Sequence, residues 1–435
     1  MTTFGRSLPH LRTEIPGPRS RELAARLTRV ECPSFEARRH ARQEEAGASQ
    51  LPIVYGRAFG SNVACVDDNV FVDLTCGFGA LVLGHAPPSL SDALHGQQEV
   101  LPLALGDVYA SDAKVVACEM IQALFPEKGA RVLLGSSGAD ALTAALKTAE
   151  LATGRAGVLA FEGAYHGLSH GPLALCGLSN AFRQPFTSSL SPHVTFLPYP
   201  DSDATLRAVE ARAIDACRAG QIGAIVVEPI LGRGGCIVPP PAFLPTLRRV
   251  ADASGALLVV DEVWTGMGRS GAMLASEGIV PDVVCLGKGL GAGFPVSACV
   301  GRASVMAAWG AHGGTAIHTA THFGSPLACA SIRTALDELA EQNLPARALR
   351  IGATFMQMVS EAGHRVTGRG LMLGIHLDSK KAALRAASEL LARGYIVLTG
   401  GVGGNVLTLT PALNVPEALL EAFVRDFSDQ QKAAS

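Results

Sequence analysis

A lysine stands between two glycines, Gly287-Lys288-Gly289, directly after the apolar run Val283-Val-Cys-Leu286. An ε-amine kept in a tight, partly desolvated turn has a lowered pKa, so it can serve as a nucleophile or a base. Earlier in the chain Asp261 closes a second apolar run, Ala256-Leu-Leu-Val-Val260. A carboxylate there is partly desolvated and demands a cationic or N–H partner. The ring nitrogen of a protonated heteroaromatic would supply one; a helix cap or an ion pair with Arg269 is the plainer alternative. A third stretch, Gly135-Ser-Ser-Gly-Ala-Asp-Ala141, separates the run Arg131-Val-Leu-Leu134 from a helical segment whose apolar face includes Leu142, Ala145, Leu146 and Ala149. The free N–H groups of a helix start attract phosphate, and small residues at 138 and 139 let it come close. A plain capped helix start would read the same way. In the fourth, Phe161-Glu-Gly-Ala-Tyr-His-Gly167, Tyr165 offers a ring that can stack on a flat cofactor and His166 stands beside it. Taken singly, each also suits an ordinary loop.

What must position these residues is a set of strands. From Phe71 to about Pro326 short apolar runs alternate with Ala-rich helical stretches, the pattern of βα units on a mostly parallel sheet. In open α/β sheets ligands bind beyond the carboxyl ends of the strands. Four runs end in polar or glycine-rich turns: those at Leu134, Val227, Val260 and Leu286. We therefore expect an α/β fold divided into residues 1–70, an arm that packs with a smaller domain, residues 71–326, a large cofactor-binding domain, and residues 327–435, a small C-terminal α/β domain. The arm carries one helical piece near Arg21 to Val30. The C-terminal part shows helical spacing over Ala328 to Leu339 and strand-like pieces at Gly374 to Leu377, Ile396 to Leu398 and Val406 to Leu409.

Composition narrows the classes of function. A formal net charge of -2 lacks the basic excess that binding to a phosphate backbone needs, so nucleic acid is not an expected partner. No run approaches the roughly 20 apolar residues of a membrane span. The segment Met1 to Arg21, broken by Pro9, Pro16 and Pro18, does not read as a secretory signal. Ten cysteines occur with no Cys-x-x-Cys pair, which suits reduced thiols in the cytoplasm and offers no metal site.

The order of these elements resembles the class III aminotransferases, the family of ornithine, acetylornithine and 4-aminobutyrate aminotransferases. The most specific matches are Leu258-Val-Val-Asp-Glu-Val-Trp-Thr-Gly-Met-Gly-Arg-Ser-Gly271 and Gly287-Lys-Gly-Leu-Gly-Ala-Gly-Phe-Pro295. Gly84-His85, Val227-Glu228-Pro229, Thr321-His-Phe-Gly-Ser-Pro-Leu-Ala328 and Gly370-Leu-Met-Leu-Gly374 add to them. The resemblance implies a fold type I enzyme with pyridoxal 5'-phosphate as cofactor, taking an amine donor and a keto acid acceptor, with active sites at a homodimer interface. By that likeness Lys288 holds the cofactor as a Schiff base and later moves the substrate proton, while Asp261 keeps the pyridine nitrogen protonated. Tyr165 and Val263 flank the ring, and His166 and Glu228 order the site. Ser137, Gly138 and Ala139 meet the phosphate, which Thr321 reaches from the other subunit. Phe78, Trp264 and Arg233 are the expected substrate contacts.

Three departures stand out: Trp264 where the family often has Gln, Thr367 where a Val-Arg-Gly element carries an arginine that grips the substrate carboxylate, and Arg233 where a Gly-Glu-Gly-Gly turn carries its glutamate. An aminomutase or racemase shares the same motifs, because a few pocket groups decide the fate of the common intermediate. A non-catalytic homologue is the reading from a different class, and the intact set Asp261, Lys288 and Thr321 weighs against it.

Overall fold

The computed structural model describes residues 4–434. Its largest sheet has seven strands: β1 Arg131–Gly135, β2 Gly157–Phe161, β3 Val194–Leu197, β4 Ile222–Val227, β5 Leu257–Asp261, β6 Val283–Leu286 and β7 Ser297–Gly301. Their order is β1-β7-β6-β5-β4-β2-β3. Neighbours from β6 through to β3 run parallel, whereas β7 is antiparallel to both β1 and β6. Every residue of β2, β4, β6 and β7 is buried, and the edge strands β1 and β3 are only partly so. Strands covered on both faces must be apolar throughout, which is why they read as unbroken hydrophobic runs.

Helices supply that cover. Gly138–Thr153 buries Ala141, Leu142, Ala144, Ala145, Thr148 and Ala149 on one face of the sheet. On the other face, Phe243–Ser254 buries Phe243, Thr246, Leu247, Val250 and Ala251 and ends at Gly255 in the left-handed region, φ 66°. The sheet's carboxyl edge is thereby left open between the two layers.

Two four-stranded sheets lie outside this framework. One joins Tyr55–Phe59, Asn62–Cys65 and Val70–Asp73 to the short strand Tyr395–Ile396, so that early and late parts of the chain share a sheet. The other is antiparallel, formed by Val366–Arg369, Met372–His376, Val406–Leu409 and Leu398–Gly400. The helix expected near Arg21 to Val30 spans Pro18–Thr28, and the one expected from Ala328 to Leu339 spans Pro326–Glu341. A second helix, Pro33–Ala46, was not foreseen, because its arginines, glutamines and glutamates leave almost no apolar stripe and only Ala46 is buried. Among the described residues no helix is long and apolar enough to cross a membrane.

Candidate active site

Parallel registration gathers the chemistry. Val227 is paired with Val260 and Asp261 with Cys285, so Glu228, Asp261 and Lys288 emerge from three adjacent strands at one level of the carboxyl edge. His166 and Tyr165 come from the loop after β2, and Gly138 and Ala139 from the helix after β1. Together with Gly167, Val263 and Trp264 these residues line a cavity of ≈ 180 Å³.

Asp261 is 5% exposed. Its Oδ2 lies 2.7 Å from His166 Nδ1, and its Oδ1 accepts from the Val263 amide at 3.0 Å. Burial alone would lower the His166 pKa, but the hydrogen bond to Asp261 and the charges of Asp261 and Glu228 outweigh it and raise that pKa. The adjacent Glu262 turns the other way. It is wholly buried, bonded to the Thr265 hydroxyl and to the Ser276 amide, and burial raises its carboxyl pKa. Alternation along the strand thus aims Asp261 at the cavity and Glu262 at the protein. Arg269 pairs with neither. Its guanidinium, wholly buried, donates to the carbonyls of Leu371, Pro411 and Gly79, so the ion pair with Arg269 that was the plainer alternative for Asp261 does not form.

Lys288 opens a short 3-10 turn with φ 41°, a left-handed conformation that a non-glycine residue adopts at a cost. Its Nζ lies 4.6 Å from the centroid of the Trp264 ring. Burial lowers the Lys288 pKa to about 8, against the opposing pull of the Asp261 and Glu228 carboxylates and with a smaller lowering from Arg233 and Arg269. An appreciable fraction of the amine is therefore unprotonated near neutral pH.

Glu228 is 4% exposed and binds two main-chain amides, Tyr165 N at 2.8 Å through Oε1 and Gly232 N at 3.0 Å through Oε2. Burial raises its pKa. The carboxylate joins the Tyr165 loop to the turn that carries Arg233. At the helix start, Ser137 caps the helix in a reciprocal box: its hydroxyl accepts from Asp140 N, and Asp140 Oδ2 accepts from Ser136 N and Ser137 N. Gly138 and Ala139 are the first helical residues, so their amides have no acceptor within the helix. A Cβ on Gly138 would sit 2.8 Å from Val263 Cγ1, and glycine is what lets the helix start close against that valine. Asp140 and Gly167 are the contributors that spacing did not single out, although Ser137-x-x-Asp140 is itself the sequence pattern of such a cap.

The remaining expected residues lie apart. Ser137 is exposed beside the cavity. Phe78, 55% exposed, and Thr321, also exposed, do not border the cavity of their own chain. Arg233 stacks over the Tyr165 ring, its guanidinium carbon 4.3 Å from the centroid. Thr367 bonds Gly235 O at 2.9 Å and His376 Nε2 at 2.8 Å, and it lines a different cavity with Leu231, Gly368 and Val402. Thr367 therefore lies outside the residues that line the Lys288 cavity.

The family model for class III aminotransferases matches residues 44–430. An acetylornithine aminotransferase of Methanopyrus kandleri is 35% identical over 393 residues, 89% of this chain and 96% of that protein. The ornithine aminotransferase structure from Toxoplasma gondii ME49 superposes with a TM-score of 0.83 at 27% identity, covering 95% of each chain. An amine transaminase from an uncultivated Pseudomonas species, solved with pyridoxal phosphate bound, gives 0.80 at 28% identity over 87% of this chain and 95% of that one.

Proposed function

The chain belongs to the class III aminotransferases, pyridoxal-phosphate enzymes of fold type I that move an amino group from a donor to a keto acid, and from that premise we propose that Lys288 is the amine that holds the cofactor. The observation that carries this reading is the single cavity in which Lys288, Asp261 and a helix N-terminus meet. The residues present fit the group: a phosphate finds the unpaired amides of Gly138 and Ala139, with Ser137 beside them, and a protonated ring nitrogen finds the buried Asp261 carboxylate. Bound there, the cofactor supplies an electron sink for the charge that builds on the substrate carbon.

The chain's own groups do the rest. Asp261 favours a proton on the facing nitrogen, and His166 fixes the carboxylate's rotation. Tyr165 and Val263, which line the cavity, would confine the ring, while Glu228 keeps the Tyr165 loop in register with the Gly232 turn. Lys288, once its amine is free, would carry the proton between the substrate carbon and the cofactor, a task its lowered pKa suits.

The enzyme acts as a homodimer in this reading, with Thr321 of each subunit completing the other's phosphate seat. Support comes from the surface around it. Val100, Leu105, Val108 and Tyr109 are 61–82% exposed apolar residues, and Thr319 Oγ1 binds Asp107 Oδ2 at 3.0 Å, tying that segment to the Thr321 turn. Obligate interfaces are apolar in this way. Ten free thiols suit a reducing compartment, and we assign the enzyme to the cytoplasm. The test is borohydride reduction of the holoenzyme followed by peptide mapping. Label on the peptide containing Lys288 is expected, and label on any other lysine overturns the assignment.

A further inference from the structure

We infer that Arg233 is the anchor for the carboxylate of the amino acid donor and of the keto acid acceptor; the inference rests on Lys288 as the cofactor lysine. A transaminase brings two substrates in turn to one lysine. When both carry a carboxylate next to or near the reacting carbon, a single fixed cation can align both.

Arg233 is not one of the residues that line the Lys288 cavity, but it lies over Tyr165, which is. Its main chain is held from two sides: Gly232 N donates to Glu228 Oε2 at 3.0 Å, and Arg233 O accepts from Gly401 N at 2.8 Å. The turn also lies against the cavity wall, where a Cβ on Gly232 would meet Trp264 Cε3 at 2.5 Å. The guanidinium carbon is 4.3 Å from the centroid of the Tyr165 ring and 6.0 Å from that of Phe182. Stacking on rings restrains the planar fork and leaves its N–H edge free, the arrangement that binds a carboxylate with two parallel hydrogen bonds. Among the described residues the guanidinium has no ion pair, and the nearby Glu228 is already committed to two amides. The half-buried cation thus has aromatic support but no anion, close enough to Lys288 for its charge to act on that amine.

Two measurements test this on the holoenzyme. In the first, propionate, a carboxylate with no amine to react, is titrated calorimetrically into wild type, Arg233→Ala and Arg233→Lys. Binding should weaken by about 10- to 100-fold in the alanine variant and by less in the lysine variant, which keeps the charge but not the fork. Equal affinity in wild type and Arg233→Ala, or no binding to wild type, overturns the inference. In the second, the kcat/KM ratio for donors that differ only by the carboxylate, alanine against ethylamine and 4-aminobutyrate against propylamine, should fall by a similar factor in Arg233→Ala. Damage to folding lowers both members of a pair and leaves the ratio alone, so an unchanged ratio also counts against the anchor. Borohydride labelling of the same proteins separates the two claims: label away from Lys288 in wild type removes the cofactor assignment, whatever propionate does.

Discussion

Among the described residues two aspartate–histidine pairs have nearly equal length, the buried Asp261 with His166 at 2.7 Å and the part-buried Asp73 with His85 at 2.8 Å. They differ in what else the carboxylate does. Asp73 also accepts from Thr75 N at 2.8 Å, from the Thr75 hydroxyl at 2.7 Å and from Cys76 N at 3.0 Å, so its oxygens are consumed in pinning the turn after the strand Val70–Asp73. Asp261 has one amide besides its histidine, and it faces a cavity that also holds Lys288. A buried carboxylate surrounded by donors is part of the scaffold. One with unused lone pairs beside an amine of lowered pKa is where a ligand belongs.

The largest effect that separates the two regions is expected at the amine. Lys288→Ala should lower turnover by more than about 1000-fold and remove the borohydride label, since both the cofactor link and the proton carrier are lost. Steady-state rates and peptide mapping measure this, and an active, unlabelled variant would refute it.

Substituting each aspartate by its neutral isostere comes next. Asp261→Asn should cut kcat by about 100-fold or more while barely moving the melting temperature. Asp73→Asn should do the reverse, losing about 1 to 3 kcal/mol of stability in denaturant unfolding with activity per folded molecule near that of wild type. Burial by itself would raise the Asp73 pKa, yet the hydrogen bonds from His85 and Thr75 win and lower it. A carboxyl whose folded pKa lies below its unfolded value stabilises fully at neutral pH and loses that contribution as pH falls below about 4. The acid limb of the stability curve should therefore flatten in Asp73→Asn. If the two variants behave alike, the contrast between the pairs is wrong.

A smaller effect sharpens the Lys288 side. The amine reacts only when unprotonated, so recapture of pyridoxal phosphate by stripped enzyme should speed up with rising pH and level off above about 8. A rate still climbing toward pH 10.5, the ordinary lysine value, would mean that burial does not act on this group. The smallest change is at the helix start, where Ser137→Ala removes a cap and should cost about 1 kcal/mol in unfolding.

Much of this was legible in the chain because the buried strands are apolar from end to end, and each of the four turns that looked reactive does follow a strand of the seven-stranded sheet. Less was legible where pairing is remote. Strand β7, antiparallel in an otherwise parallel neighbourhood, and the sheet that joins Val70–Asp73 to Tyr395–Ile396 depend on partners far away in sequence. Only His85 of the Asp73 pair was noticed, as part of a motif, since nothing local says which carboxylate it meets. Arg269 lies eight positions from Asp261, near enough to suggest a pair, but the chain turns between them and sends the guanidinium elsewhere. Thr367 shows the same: a motif position says which strand a residue is on, not which cavity its side chain enters.

The destination of Arg269 has a further consequence. A wholly buried cation that donates to the main-chain carbonyls of residues 79, 371 and 411 binds three distant segments to one point, and its own carbonyl accepts the amide of Leu371 at 2.9 Å. If any one segment peels away alone, the cation loses an acceptor where water cannot replace it. Opening of the three is then coupled, and hydrogen–deuterium exchange should find their amides protected to the same depth and released in one cooperative step, as a single foldon assembled from opposite ends of the polypeptide.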